Sequence, residues 1–530
     1  MKKFAELVLI LFVPWVVIFY LICTVNLDKD RDYQDVSTIQ VEQKTSMADH
    51  SHFAVLQKDF KSASEVTEAC LSCHKERGEE ILQTEHWRWL KKDSVPGRGV
   101  MDLGKRNILN NFCIGVNSNE KLCSMCHAGY GYGDKHFDFS DPGNIDCLVC
   151  HDNTGTYKKS KPGKITGTGS GYPDPSVDLG RVARHIGYPH KENCGACHFT
   201  GGGGNNVKHG DLEKALLSCT RETDVHMDAK GKNMECTTCH KTKNHRITGQ
   251  LYMVSSSNSN RVTCEQCHTK KPHDSKILND HYEQVACQTC HIPHYAKVTP
   301  TKTYWDWSTA GKMKDGKPYT EWSEDKRHEY DTKHGDAEFG KDLQPEYVWF
   351  NGTAGHQLIT DKIEKVPVDL NPLYGSYQDN LHPANPANVS KIWPVKIMRG
   401  KQIYDTVRKT LIQPKLVGEK GSGAFWADFD WQASARAGME YTGVPYSGAY
   451  GFVETRSYWP LNHMVSPASE ALTCTDCHSR QGRLANLTGF YLPGRDHHRY
   501  FDMTGLMFIL MAAAGSLIHG FFRIVSARKK

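Results

Sequence analysis

The chain has almost no cysteine to spare. It carries 19 in 530 residues, but only Cys23, Cys113 and Cys219 fall outside one repeated pattern, which excludes a disulfide framework. No nucleic-acid motif interleaves basic with aromatic residues, so nucleic acid is set aside as a partner despite the formal charge of +5. The first apolar run lacks a small-residue cleavage site of the A-x-A kind, and Cys-x-x-Cys-Lys does not occur.

What is present is one motif, eight times over. Cys-x-x-Cys-His appears as Cys70/Cys73/His74, Cys123/Cys126/His127, Cys147/Cys150/His151, Cys194/Cys197/His198, Cys236/Cys239/His240, Cys264/Cys267/His268, Cys287/Cys290/His291 and Cys474/Cys477/His478. Residue frequencies alone predict ~0.04 occurrences of this c-type haem attachment pattern. Two thiols three residues apart share one turn and can each form a thioether to the two vinyl groups of one haem. The histidine that follows reaches the iron as axial ligand. Zinc also takes Cys-x-x-Cys but does not require a histidine after every second cysteine. Eight covalently bound haems c would add two propionates each and move the net charge to about −11, which removes any argument from a basic surface.

Both ends read as membrane segments. Residues 1–27 place two lysines before an apolar run of about 20 residues, the length of a bilayer span. Residues 504–523 form a second apolar run, closed by Arg523, Arg528, Lys529 and Lys530. Cytoplasmic flanks are enriched in Lys and Arg, so both termini are expected inside the cytoplasmic membrane, with the haem domain on the periplasmic side. His519, inside the second run, reads more simply as a tolerated interfacial histidine than as a haem b or quinone-site ligand.

Residues 28–65 look like a linker and domain start, and seven motifs then crowd into 66–292. At that density haem itself forms most of the interior. The expected fold is mainly α with extensive irregular loops and almost no sheet, organised around a packed array of eight haems. Residues 293–473 carry no motif but hold eight of the eleven tryptophans; they are expected to wrap the haem core. The eighth motif returns in 474–500.

Each iron has a second axial position whose occupant decides function. His245 and His273 each fall five residues after a proximal histidine and cannot fold back to the far face of their own haem, so each would serve a neighbour. His281 and His463 shortly precede a motif, and His86 sits among aromatics in "TEHWRWL". His50, His52, His328, His334, His497 and His498 lie in polar or terminal surroundings and read as surface residues.

One loop stands apart. In "NCGACHFTGGGGNNVKHGDL" four glycines precede Lys208 and His209. With "NILNNFCIGVNSNEKLCSMCHAGYG", "NIDCLVCHDNTGTYKK", "DVHM" (which contains His226), "VACQTCHIP" and "PASEALTCTDCHS", this stretch resembles the octahaem tetrathionate reductase family of multihaem c-type cytochromes, from about residue 66 to 490 with the motifs in order. The resemblance implies a catalytic haem on the second motif whose distal ligand is a lysine amine, here Lys208, with Cys113 and Asn110 close by. It adds His209 and His226 to the candidate distal ligands. An amine binds iron only when deprotonated, so such a site must lower its pKa by desolvation and by the iron's charge. The family has an aspartate three residues before that lysine, whereas this chain has Asn205.

The implied activity is multi-electron reduction of a small anion, tetrathionate to thiosulfate, with nitrite or hydroxylamine as rivals. Electrons would come from a membrane quinol dehydrogenase or a small cytochrome, and an oligomer is compatible. Tyr491 is a weak candidate for the tyrosine crosslink of hydroxylamine oxidoreductases. The alternative of another class is a pure electron conduit with every iron held by two histidines.

Overall fold

A computed structural model describes residues 48–109, 115–160, 171–324, 327–381 and 388–527. The expected N-terminal anchor (1–27), Arg528, Lys529, Lys530, Asn110 and Cys113 lie outside the described residues. The described chain divides into two compact units. One comprises residues up to 266 with 286–471, and the other 267–285 with the stretch from 472 onward. The first seven motifs therefore do not share one unit with everything around them: the division falls inside the sixth, between Gln266 and Cys267, whereas Cys290 returns to the larger unit.

The attachment motifs sit on short helical turns: Ala63–Cys73, Glu120–Cys123, Leu148–His151, Lys191–His198, Cys236–Cys239, Cys287–His291 and Cys474–Cys477, with a 3-10 turn at Cys264–Gln266. Residues three apart on a helix lie on one face, which brings a cysteine pair together. In the seventh motif Cys287 and Cys290 both lie within the helix, as the spacing requires. In the second and third, one cysteine stands just outside and the turn still closes, with Cys126 N donating to Cys123 O at 3.1 Å and Cys150 N to Cys147 O at 3.4 Å. In the sixth, Cys267 is the turn residue that directly follows a 3-10 turn. That 3-10 turn ends at Gln266, and Cys267 is exposed. A 3-10 turn has poorer hydrogen-bond geometry than an α-helix and seldom runs beyond three or four residues. The longest of the motif helices is capped by Ser62, whose hydroxyl accepts from Glu65 N at 3.2 Å, satisfying an N–H that the helix start leaves open.

The expectation of a mainly helical fold with almost no sheet does not survive. Residues 301–460 build a nine-stranded sheet. The strand order is Val368–Asp369, Tyr450–Pro460, Lys391–Asp405, Thr301–Asp306, Gly335–Gly340, His328–Asp331 and Thr320–Trp322, and Glu346–Phe350 and Thr410–Leu411 pair with the two ends of the long strand. Lys391–Asp405 runs antiparallel to Tyr450–Pro460 from Val395 opposite Pro460 to Asp405 opposite Tyr450. The molecule is therefore α+β. Several of the tryptophans fill a core of the sheet's own. Trp305 stacks on Trp307 at 4.4 Å and Phe425 on Trp431 at 3.8 Å, packed with Met398, Ile403, Leu411 and Met439. A stretch with no haem to bury must bury its own side chains, and β-branched and aromatic residues pack well on a pleated surface. The helix Trp431–Thr442 covers this core, capped by Asp430 and ended by Gly443 at φ +72°.

In the second unit the helix Arg499–Ala527 is apolar enough from Asp502 onward to cross a bilayer, by length and composition.

Candidate functional site

Five proximal histidines face a second imidazole. His74 faces His50 at a ring-centroid distance of 6.3 Å, His198 faces His86 at 6.1 Å and His151 faces His245 at 6.3 Å. His240 faces His463 at 6.3 Å, and in the second unit His478 faces His281 at 6.1 Å. Two metal–nitrogen bonds of about 2 Å each plus the half-width of two rings account for such a gap. The residues fit a haem iron between each pair.

The other ring nitrogen is tied off in most of these rings, which fixes the tautomer. Nδ1–H donates to Gly187 O from His151 (2.8 Å), to Thr248 O from His240 (2.7 Å), to Pro493 O from His478 (3.0 Å) and to Ile277 O from His281 (2.7 Å). Two distal rings have carboxylates instead: His245 donates to Glu80 at 2.8 Å and His463 to Asp211 at 3.2 Å. Burial pushes the pKa of His127 and His198 down to about 3 and lowers those of His151, His240 and His86. These rings are therefore neutral, the form that ligates a metal. Burial would also lower His463, but the hydrogen bond and charge of Asp211 outweigh it and raise that pKa.

His127 is different. Among the described residues no second imidazole lies in ring contact with it. It sits in an aromatic cage of Tyr132 (4.8 Å), Trp87 (5.1 Å), Trp89 (5.2 Å), Phe137 (5.3 Å) and Phe139 (5.9 Å). Its Nε2–H donates to Trp87 O at 2.9 Å, so binding iron through that nitrogen requires this hydrogen bond to open. The turn that carries it is clamped from beneath by buried Lys159, which donates to the carbonyls of His127, Ser124 (3.3 Å) and Gly129 (3.0 Å) and pairs with Asp146 at 3.4 Å.

Lys208 lies close enough to Cys126 and His198 for its charge to act on both, and its Nζ stands 5.3 Å from the Trp459 ring. Two of the four glycines in the loop leading to it adopt a left-handed backbone. Gly202 and Gly203 have φ of +81° and +102°, and a Cβ on Gly203 would meet nothing within 4 Å. The loop is then held by a residue that carries no sequence signal. Lys396, fully buried on the long strand, donates to Val207 O (3.1 Å), Lys208 O (3.0 Å) and Thr301 Oγ1. The Asn205 side chain is committed elsewhere, accepting from Lys214 N at 2.8 Å and donating to Thr299 Oγ1 at 3.2 Å. The sheet region also pins the second motif: Tyr441 OH donates to Glu120 at 2.9 Å, and Leu416 N donates to Asn119 at 2.7 Å.

His209 is half-buried, edge-on to Trp459 at 5.0 Å, His226 stands 3.8 Å from Asp224, and His273 donates to Asn279 Oδ1 at 3.2 Å. His291 ends its motif helix, and its carbonyl accepts from Ser466 N at 2.8 Å; His268 follows the sixth motif's turn. His50, set aside as a surface residue, was missed. A 3-10 turn capped by Asp49 carries it to His74, and nothing in "ADHSHF" announces that.

Thiols of different motifs touch, which orders the motifs in space. Cys70 contacts Cys147, Cys126 contacts Cys197, Cys194 contacts Cys236 and Cys264 contacts Cys287. The fourth motif thus lies between the second and the fifth. In the sixth and seventh it is the first cysteines, Cys264 and Cys287, that meet. Their second cysteines are set differently, Cys267 exposed and Cys290 half-buried within its helix.

This arrangement defines a multihaem c-type cytochrome. The family described as bacterial cytochrome c matches residues 302–481. A crystal structure of an octahaem cytochrome c from Shewanella oneidensis is 41% identical, covering 82% of this chain and 95% of that one, with a TM-score of 0.73. An Archaeoglobus fulgidus protein described only as uncharacterized is 25% identical over 242 residues, 37% of this chain and 80% of its own. The chain belongs to the octahaem c-type cytochromes, oxidoreductases that bind haem c covalently.

Proposed function

We propose that this protein is a membrane-tethered octahaem reductase whose haem domain faces the periplasm and whose catalytic haem is the one attached through Cys123 and Cys126. The observation that carries the reading is the contrast between five imidazole pairs and His127, which stands alone in an aromatic cage beside the Lys208 loop. The pairs His50/His74, His86/His198, His245/His151, His463/His240 and His281/His478 would hold closed electron-transfer haems, and Lys208 would be the releasable ligand of the second. Once bound, the haems supply the iron and the one-electron steps.

The chain's own residues do the rest. Lys396 keeps the loop backbone in place so that only the Lys208 side chain has to move. The substrate anion takes the position of the Lys208 amine, which picks up a proton and offsets negative charge as an ammonium. For tetrathionate, two electrons break the central sulfur–sulfur bond and release two thiosulfates, with no net proton. The Trp87, Trp89, Tyr132 and Phe139 cage excludes water and strengthens these charge interactions. Asn110 and Cys113 are the residues the family resemblance adds beside the substrate. Nitrite and hydroxylamine are smaller acceptors for the same position.

The test is turnover with a reduced dye against tetrathionate, nitrite and hydroxylamine, for wild type and Lys208→Ala. The variant is expected to lose about 100-fold or more on the physiological acceptor. Equal rates on all three would remove Lys208 from the site. If nitrite or cyanide perturbs no haem of the wild type, the protein is a conduit.

A further inference from the structure

The eighth motif and the apolar helix belong to the same compact unit, and the chain between them is short and tightly fastened. After His478 it turns back on itself. The Nδ1–H of His478 donates to Pro493 O at 3.0 Å. Gly494, at φ +83°, runs so close beneath that a Cβ there would stand 2.3 Å from the His478 carbonyl oxygen. Arg495 locks this return, donating to the carbonyls of Leu484 (2.9 Å), Phe490 (3.0 Å) and Leu487 and pairing with Asp496 at 2.7 Å. Asp496 in turn accepts from Leu492 N at 2.7 Å.

The helix begins at Arg499, and its apolar stretch at Asp502. Six residues from Pro493 to Arg499 reach at most about 20 Å, and three more in helix add about 5 Å. The imidazole of His478 is therefore leashed within about 25 Å of the point where the helix meets the bilayer, however the joint is set. None of the helix's apolar window is buried against the protein, so lipid is the environment it suits. The other seven motifs all precede residue 292 and lie further along the chain from this helix. Opposite His478, His281 completes the site at 6.1 Å with the two rings at 89°.

We propose that the haem held by Cys474, Cys477, His478 and His281 is where electrons come into the protein, from a lipid-soluble quinol in the bilayer spanned by the C-terminal helix. This rests on the membrane-tethered reading above. The quinol loses two electrons and two protons and becomes the quinone. The electrons pass one at a time to the ferric site, and the protons leave to the aqueous phase on the same face.

The test uses the full-length holoprotein in phosphatidylethanolamine–phosphatidylglycerol vesicles carrying a reduced naphthoquinol, with haem reduction followed optically and no acceptor present. In one variant about 15 Gly/Ser residues are inserted between His497 and His498, which lengthens the leash without touching a ligand. In a second, His281→Ala removes one ring of the perpendicular pair. Perpendicular imidazoles give a ferric low-spin signal of very large anisotropy, so its loss from the electron paramagnetic resonance spectrum shows which site has been altered. Dithionite reduction counts the haems still attached. Both variants are expected to be reduced by the quinol about tenfold more slowly or worse. Unchanged quinol reduction in the insertion variant overturns the proposal. So does unchanged reduction in His281→Ala once its signal is gone. Acceptor turnover plays no part in the readout, so failure of the reductase reading would leave this result standing.

Discussion

Around the first seven motifs the buried apolar groups come in small sets, such as Leu56, Val66, Ala69, Leu148, Val182 and Ala183, or Phe199, Leu216, Cys219 and Met464. Residues 301–460 instead share one large cluster running from Trp305 and Trp307 through Met398 and Ile403 to Trp431 and Trp459. The motif region spaces imidazoles and thiols for a cofactor, so porphyrin is its missing hydrophobic interior. The sheet region is finished without one. It supplies a rigid base, and through Lys396, Tyr441 and Leu416 it sets the second motif and the Lys208 loop against each other. The second motif and the Lys208 loop thus lean on a part of the chain that carries no attachment motif.

The largest effect should come from withholding haem. In chain made without haem attachment, limited proteolysis with mass spectrometry should find residues 63–291 cleaved rapidly and 301–460 persisting. Equal sensitivity of both regions would break the comparison. Next is the sheet core itself, where Lys302 is 2% exposed with Nζ 3.4 Å from the Trp305 ring, and burial brings its pKa down to about 7. Between pH 7 and 10.5 the unfolded chain binds a proton here that the folded chain does not, so stability rises with pH across that window; at and below pH 7 the full penalty stands. Lys302→Met should be more stable at pH 7 on the order of 3–5 kcal/mol, and the two melting curves should converge towards pH 10.5. Parallel curves would mean that Lys302 is not the buried cation.

At the seam between the regions, Lys396→Met leaves two buried carbonyls without their donor, at a cost of roughly 2–4 kcal/mol. It should alter the spectrum of the haem on the second motif and leave the histidine pairs as they were. A uniform change in all haems would instead point to general loosening. The smallest effect is electronic. Asp211 accepts from His463 while the His240 ring opposite is held by a carbonyl, and a carboxylate partner makes an imidazole more basic and favours ferric iron. Asp211→Asn should raise the potential of the haem on the fifth motif by about 60 mV, one tenfold change for a one-electron couple. A redox titration that finds no shift would separate this carboxylate from the iron's electronics.

Legibility in the sequence followed the range of the interaction. Each attachment site lies within five consecutive residues, and the structure sets each on or directly beside a short helical or 3-10 turn. His86, His245, His281 and His463 stood out by local context, and each faces a proximal ring. His50 did not, because what brings it to His74 is the path of the chain and not its neighbours in sequence. The sheet was hidden for a related reason. "KIWPVKIMRGKQIYD" is buried along most of its length, so it lacks the strict alternation that marks a half-exposed strand, and its tryptophans suggested a cofactor cover.

By itself the sequence determined the cofactor chemistry, the number of attachment sites and the apolar run at the C-terminus, because covalent attachment and bilayer length are local requirements written in consecutive residues. Only the tertiary structure decided which histidine answers which, and that His127, among the described residues, sits in an aromatic cage with no imidazole in ring contact. It also decided that a buried lysine 188 residues away in sequence holds the Lys208 backbone. Those outcomes depend on contacts between segments far apart in the chain, and no short pattern encodes them.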